Sequence, residues 1–206
     1  MQPLRIAVLA LQGAFRAHVR RLAELGVEAV EARRPRDLAA VDGLVMPGGE
    51  STTMSNLLTS SGLFDDVKAR LADGMPVFGT CAGMILLATD VLDGRADQRC
   101  FGALDITVRR NGYGRQLDSF ETELDVDGLD APLHGVFIRA PKIETVGPSV
   151  DVLAEHQGVP VLVADGAIMA AAFHPELTSD TRLHARFVEL VTRHRTATVD
   201  DSEQEH

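Results

Sequence analysis

Cysteine is scarce in this 206-residue chain, and long apolar runs are absent. Its two cysteines, Cys81 and Cys100, allow at most one internal disulfide, so no disulfide framework holds the fold together. No stretch approaches the ~18 consecutive apolar residues that a membrane-spanning helix requires. The N-terminal apolar run is interrupted early by Gln12 and Gly13 and lacks a basic leader, which predicts a first strand rather than a secretory signal. We therefore expect a cytoplasmic protein whose thiols stay reduced.

Positive charge is also in short supply. The chain has 20 Lys and Arg against 30 Asp and Glu, a formal net charge of −10. This charge disfavours binding to nucleic acid and to anionic membranes, because both are themselves negatively charged. Apolar residues, by contrast, make up 45% of the chain and charged residues 24%, a balance typical of a globular protein with an ample core.

Short apolar runs alternate with amphipathic stretches in the first half, which predicts parallel strands with helices on both faces. The predicted strands there are 5–11, 27–32, 43–46 and 75–78, and the predicted helices are 15–25, 51–60, 63–72 and 82–89. The second half is predicted to add partly antiparallel strands, because its connections are too short for crossover helices. These strands are 104–109, 120–126, 134–139, 150–155, 160–164 and 167–173, and a helix over 180–194 follows. We expect one domain over 1–195, a three-layer α/β/α fold with a mixed, mostly parallel sheet, and a disordered acidic tail over 196–206.

The strongest local motif is GTCAG at 79–83, between a predicted strand and a predicted helix. It has the form of a nucleophile elbow with Cys81 in the place of the serine. The helix N-terminus favours thiolate, and the N–H of Ala82 would face the oxyanion that forms during attack. The alternative is a buried cysteine in a glycine-rich turn.

A nucleophilic cysteine needs a base, and His174 is the best candidate among seven histidines. Pro175 favours an extended conformation at His174, and continued extension would point Glu176 to the same side. Cysteine, histidine and carboxylate would then act as nucleophile, base and orienting group. The other histidines are predicted to be surface residues (His18, His184, His194) or to lack a partner (His134, His156, His206).

PGGEST at 47–52 follows a predicted strand and opens a helix. Its glycines permit close backbone approach, so its N–H groups can receive an anion or an oxyanion, while Glu50 and Ser51 suit an amino-acid head group. Alternatively, Ser51 or Thr52 simply caps the helix. Arg110 and Arg139 carry guanidinium groups that can bind a carboxylate, although each could equally form a surface ion pair. Cys100 has no glycine elbow and is interpreted as a structural or incidental thiol.

Six motifs together resemble one family. They are ALQGA at 10–14, PGGEST at 47–52, GTCAGM at 79–84, RNGYGRQLDSFE at 110–121, FIRAP at 137–141 and FHPELT at 173–178. In this order they resemble the glutaminase subunits of pyridoxal 5'-phosphate synthase, within the class I, triad-type glutamine amidotransferases. The resemblance spans residues 4–194 and implies a flavodoxin-like α/β fold. Tyr113 stands where the family often has Phe.

The resemblance implies hydrolysis of L-glutamine to L-glutamate and ammonia, with the ammonia passed to a (β/α)8-barrel synthase subunit in a hetero-oligomer. Cys81 would be the nucleophile, His174 the general base and acid, and Glu176 the carboxylate that orients it. The implied glutamine-binding residues are Gly49, Glu50, Ser51, Arg110, Ile138 and Arg139, and the implied oxyanion hole consists of Gly48, Gly49 and Ala82. No cofactor or metal is implied for the hydrolysis. We hypothesise that docking of the partner completes the oxyanion hole.

Two alternatives remain open at this point. One is another enzyme on the same scaffold, either a cysteine hydrolase or a glutaminase serving another pathway; the HPE motif argues against the first, and PGGEST with IRAP argues against the second. The other is a catalytically inactive regulatory subunit, which an intact set of Cys81, His174 and Glu176 disfavours.

Overall fold

The computed structural model describes residues 3–110, 112 and 119–204. Its helices are α1 Phe15–Glu24, α2 Ser51–Ser60, α3 Leu63–Ala72, α4 Ala82–Leu87 and α5 Arg182–Gln204. Its strands are β1 Arg5–Leu9, β2 Glu28–Ala32, β3 Gly43–Met46, β4 Val77–Thr80, β5 Ala88–Val91, β6 Leu104–Arg109, β7 Ser119–Leu124, β8 Leu133–Ile138, β9 Lys142–Val146, β10 Asp151–His156, β11 Val159–Asp165 and β12 Ile168–Ala171. Short 3₁₀ helices span Pro35–Leu38 and Pro175–Leu177.

The central sheet has seven strands in the order β10-β11-β12-β4-β3-β1-β2. The pairs from β12 to β2 are all parallel, whereas β10–β11 and β11–β12 are antiparallel hairpins. β3 and β4 are buried at every residue, because both faces of a parallel sheet are covered by helices. Helix α1 contacts α5, and α2 contacts α3 and α4. The predicted mixed, mostly parallel α/β fold is confirmed.

Two small sheets complete the fold, β5-β6-β9 and the hairpin β7-β8. The strand β8 contacts the 3₁₀ helix Pro175–Leu177, which brings the end of β8 next to the segment that follows β12. Because the carboxyl ends of the parallel strands β3, β4 and β12 lie at one edge of the central sheet, the motifs that follow these strands meet there. In the described part of the chain, no helix combines the length and the apolar character needed to cross a membrane.

Several elements differ from the prediction, and some strand ends move by two residues, as in β4, which was predicted over 75–78 and spans Val77–Thr80. Helix α4 ends at Leu87 rather than at residue 89, because Ala88–Val91 pairs with β6 as strand β5. Strand β9 was not predicted, since it depends on pairing with the distant strand β6. Helix α5 continues to Gln204, through most of the segment for which we expected disorder. An existing helix gains one backbone hydrogen bond for each residue it adds, so a polar extension is less costly than a new helix.

Candidate active site

Cys81 occupies a strained turn between β4 and α4. Its φ of 49° and ψ of −105° lie in a region that non-glycine residues rarely adopt, and such strain is typical of functional sites. A side chain on Gly83 would collide with the carbonyl oxygen of Met46, which explains the small residue there. The Cys81 side chain is largely buried, with 6% of the residue exposed. The predicted tight turn between a strand and a helix at Cys81 is therefore present in this structure.

His174 and Glu176 form a buried hydrogen-bonded pair. Nδ1 of His174 donates to Oε1 of Glu176 over 2.8 Å. The backbone N–H of His174 donates to the carbonyl of Val136 on β8 over 2.9 Å, which anchors the ring at the edge of the sheet. The predicted extended backbone through Pro175 is wrong, because Pro175–Leu177 is a 3₁₀ helix. The two side chains meet across a tight turn instead of along a strand.

The imidazole of His174 interacts with the Cys81 side chain, and the turn at Gly48 packs against both residues. Burial lowers the pKa of His174, but hydrogen bonds with Cys81 and Glu176 and the charge of Glu176 outweigh this effect and raise the pKa to about 10. At neutral pH the ring therefore carries a proton. A protonated imidazole beside a cysteine stabilises the thiolate, which is the nucleophilic form.

An open cavity of about 200 Å³ lies in front of Cys81. Its lining comprises Gly49, Glu50, Ser51, Cys81, Ile85, Arg110, Ile138, Arg139 and His174. All six residues expected to bind glutamine are in this set. Ile85 was not predicted; its position one turn along α4 from Cys81 could have indicated it. Gly48 and Ala82 lie beside the cavity, Gly48 against His174 and Ala82 as the first residue of α4.

Glu50 and Arg110 bind each other across the rim of the cavity, with 3.0 Å between Oε1 and Nη2. Glu50 also caps α2, since its carboxylate accepts from the N–H groups of Thr52 and Thr53. The suggested cap by Ser51 or Thr52 is therefore wrong. Burial raises the pKa of Glu50, but the hydrogen bonds from Thr53 and Thr52 and the charge of Arg110 lower it to about 2. The carboxylate is ionised at neutral pH, so it can accept a bound ammonium group.

Gln98 was missed by the sequence analysis, although it organises this rim. Its Oε1 accepts from the hydroxyls of Ser51 at 3.1 Å and Thr52 at 3.0 Å, and from Nη1 of Arg110 at 3.4 Å. It belongs to the charged loop between β5 and β6, which carries no motif pointing to the site. Only the tertiary structure brings this loop to the start of α2.

The last two residues expected to bind glutamine, Ile138 and Arg139, lie at the end of β8 and directly after it. The carbonyl of Ile138 lies 4.0 Å from Sγ of Cys81, and Ile138 is partly exposed. Arg139 has a left-handed φ of 43°, a second strained residue at this cavity. The rest of the arginine-containing motif, at 111 and 113–118, lies outside the described residues. Within the described residues, no three His, Cys, Asp or Glu side chains are grouped as a metal site.

Several predictions about the other histidines are wrong. His18 and His184, expected at the surface, are fully buried, and Nδ1 of His18 lies 2.9 Å from Nε2 of His184. The spacing could have shown this, because His18 lies on the helical face of Phe15 and Leu22. His134 has two carboxylate partners on β7, and the ring of His156 stacks against Phe120. The partner of each of these histidines is distant in the sequence or lies on a neighbouring strand.

The chain resembles known proteins over nearly its whole length. The model of a family described as SNO glutamine amidotransferase matches residues 8–193. The pyridoxal 5'-phosphate synthase subunit PdxT of Mycobacteroides abscessus is 57% identical over 191 residues, 93% of this chain and 98% of that protein. The PdxT subunit of Frankia alni is 56% identical over 188 residues, 91% of this chain and 94% of that protein. A crystal structure of a glutamine amidotransferase, 47% identical in sequence, has a TM-score of 0.86 and covers 91% of this chain and 98% of its own.

Proposed function

The chain belongs to the SNO glutamine amidotransferase family, and from this membership we propose how its site works as the glutaminase subunit of pyridoxal 5'-phosphate synthase. The activity is hydrolysis of L-glutamine to L-glutamate and ammonia. The observation that carries the proposal is the meeting of Cys81, His174 and Glu176 at one end of a cavity sized for a small molecule. Cys81 and the His174–Glu176 pair arrive from distant parts of the sequence, which an incidental buried cysteine would not require.

The chemistry runs through two half-reactions at Cys81. Its thiolate attacks the carboxamide carbon of glutamine and forms a tetrahedral oxyanion. The imidazolium of His174 then gives its proton to the leaving ammonia, and a γ-glutamyl thioester remains on sulfur. In the second half-reaction, neutral His174 takes a proton from water, the hydroxide attacks the thioester, and glutamate leaves while the thiolate is restored. Glu176 keeps the ring oriented and stabilises its positive charge.

We assign the other cavity residues by their chemistry. Arg110 or Arg139 can bind the α-carboxylate of glutamine, and the ionised Glu50 can accept from its α-ammonium group. Ser51, Gly49 and the backbone of Ile138 complete the binding surface. The N–H groups of the Gly48-Gly49 turn and of Ala82 form the oxyanion hole, where loss of one donor typically costs ~10²–10³ in rate.

The ammonia is consumed by a synthase partner, with which this subunit forms a hetero-oligomer. We propose that the partner is a (β/α)8 barrel, and that its docking completes the oxyanion hole. Hydrolysis of glutamine itself needs only the triad and water, and we assign it no cofactor. A regulatory subunit without activity is disfavoured, because the triad and its cavity are intact.

The direct test mixes this protein with the synthase subunit and its sugar phosphate substrates, and measures pyridoxal 5'-phosphate formed from glutamine. Cys81→Ala should abolish synthesis from glutamine and leave synthesis from added ammonium salts intact. Cys100→Ser is the matched control and should retain both activities. Glutamine-dependent synthesis by the Cys81→Ala protein would refute the assigned role of Cys81. Equal glutaminase rates with and without the partner would refute completion of the oxyanion hole by docking.

A further inference from the structure

A second row of polar side chains lies behind the triad, and it is sealed from solvent. His18, Thr80 and His184 are each fully buried, and Glu176 is 2% exposed. Oε1 of Glu176 is bound by His174, but Oε2 has no hydrogen-bond partner among the described residues. This second oxygen lies 3.4 Å from Nε2 of His18. A buried carboxylate oxygen without a hydrogen-bond partner is energetically costly. The presence of the His18 nitrogen next to it therefore requires an explanation.

The hydrogen-bond arrangement fixes which nitrogens of this row carry protons. Within the part of the chain that the structure describes, Nδ1 of His184 has no hydrogen-bond partner, so this atom bears a lone pair rather than an N–H, because a buried unpaired N–H costs more. Nε2 of His184 then carries the proton and donates to Nδ1 of His18 over 2.9 Å. The proton of His18 consequently sits on Nε2.

Nε2 of His18 faces two oxygens, Oγ1 of Thr80 at 3.2 Å and Oε2 of Glu176. The opposite tautomer would aim the lone pair of Nε2 at the carboxylate, and it would leave an unpaired N–H on His184. Both consequences are unfavourable. The described contacts therefore favour one direction of donation, from His184 through His18 toward Glu176, and the carboxylate of Glu176 also accepts from His174.

We propose that His18 is a positioning residue of the triad: its Nε2–H holds Glu176 ionised and oriented toward His174, with His184 fixing the tautomer of His18. This inference rests on the proposed glutaminase function. His18 does not touch the substrate cavity and acts on the reaction through Glu176. Its role becomes important when the imidazolium of His174 must be stabilised beside Cys81.

The charges around the row agree with this role. Burial raises the pKa of Glu176, whereas His18 and the hydrogen bond with His174 lower it, and the lowering effects dominate. Burial lowers the pKa of His18 to about 4, against the raising effect of Glu176. His18 is therefore neutral at pH 7, where its N–H dipole acts on Glu176 in the same direction as, but more weakly than, the full charge that lowers the pKa of Glu176 when His18 is protonated.

The titratable groups that act on His18 come from several elements. Glu176 and His174 follow β12, and His184 lies on α5. Arg21 of α1 and Asp180 act on His184 in turn. Protonation of any of these groups is part of the expected pH response, so the test compares variants over the same pH range.

The test uses the full chain together with its synthase partner and measures glutaminase rates from pH 5 to pH 10. His18→Leu removes the N–H that faces Oε2 of Glu176 and should lower kcat about 10- to 100-fold with little change in KM, because a buried carboxylate loses the polar group next to it. The acid limb of the profile, where the rate falls at low pH, should shift to a pH about one unit higher, because Glu176 is then protonated more easily. His18→Gln keeps a donor and should retain most of the kcat and the wild-type limb.

A second measurement does not depend on activity. In protein carrying ¹³C-labelled glutamate side chains, the carboxyl signal that Glu176→Gln removes identifies Glu176, and its titration should move to higher pH in His18→Leu. The control is His194→Leu, which removes an imidazole at the opposite end of the sheet, beside Gly74. This substitution should change neither the pH of the acid limb nor the pH at which Glu176 titrates.

The outcomes separate the two proposals. An active wild-type protein with an unshifted acid limb and unshifted Glu176 titration in His18→Leu would overturn the positioning role. A loss of kcat without either shift would show that His18 is only structural and would overturn it equally. A wild-type protein that releases no glutamate would instead refute the proposed function, while the titration of Glu176 would still decide the role of His18.

Discussion

Gly48 lies directly against the imidazole of His174. A Cβ atom on Gly48 would overlap Cε1 of that ring and would lie 3.0 Å from Nδ1, the atom that binds Glu176. The same atom would lie 3.3 Å from Cβ of Cys81. Gly48 is therefore required by the close approach of the β3–α2 turn to the triad, in addition to its proposed role in the oxyanion hole.

Gly48→Ala should lower kcat for glutamine by at least about 100-fold, because displacement of a catalytic group by about 1 Å can cost that much. Steady-state glutaminase assays in the presence of the synthase partner measure the effect. Gly158→Asn is the matched control, since a Cβ at Gly158 would have no heavy atom of the described residues within 4 Å apart from its chain neighbours, and Asn tolerates the positive φ. Full activity of Gly48→Ala would contradict the close packing of Gly48 against the imidazole of His174.

A glutamine analogue with an electrophilic carbon should label Cys81 and leave Cys100 unmodified. Cys81 lines the cavity and faces the protonated His174. Cys100 lies outside the cavity, and burial raises the pKa of its thiol, so little thiolate is present at neutral pH. Mass spectrometry of the digested protein identifies the modified peptide. Labelling of Cys100 at a comparable rate would count against a selective site at Cys81.

Two adjacent arginines should differ sharply in their effect on glutamine binding. Arg110→Ala should raise KM about 10- to 100-fold, because the residue lines the cavity and can form a charge-assisted hydrogen bond to the substrate. Arg109→Ala should leave KM within about 3-fold, because Arg109 pairs with Glu144 in a partly exposed ion pair away from the cavity. Equal effects of the two substitutions would remove Arg110 from the binding surface.

The buried histidines should make the protein less stable in mild acid. Burial lowers the pKa of His184 to about 3, against about 6.5 in the unfolded chain, so the unfolded state binds a proton first as the pH falls below 6.5. The free energy of unfolding contributed by this residue is fully present above pH 6.5 and decreases toward pH 3. Denaturant titrations at pH 7 and pH 5 should show that His184→Gln reduces the difference between them by on the order of 2 kcal/mol.

His134 supplies a control of opposite sign for that measurement. Hydrogen bonds from its ring to Glu123 and Glu121 raise the pKa of His134, so the stability it contributes is present in acid and is lost as the pH rises through the raised pKa. His134→Gln should therefore enlarge the difference between pH 7 and pH 5, by a small amount because the pair is exposed to solvent. A His184→Gln protein with the wild-type pH dependence would contradict the buried neutral state.

Most of the fold follows from local patterns in the sequence. The helices at 51–60 and 63–72 and the strand at 43–46 match the prediction residue for residue, because each has a clear apolar periodicity and a glycine or proline near one or both of its ends. Strands β5 and β9 were not predicted, because each forms by pairing with β6. The residues of a short segment give little indication of whether it will pair with a distant strand.

The sequence by itself determined the elbow at Cys81, the His174–Glu176 pair and the glycine turn at 48–49, since each depends on residue types a few positions apart. The tertiary structure alone decided that Gln98 joins the cavity rim and that His18 and His184 lie behind Glu176. Those contacts span between 46 and 166 residues. Burial and hydrogen-bond partners at such separations arise only when the sheet brings its strand ends and helices together, because no local pattern encodes them.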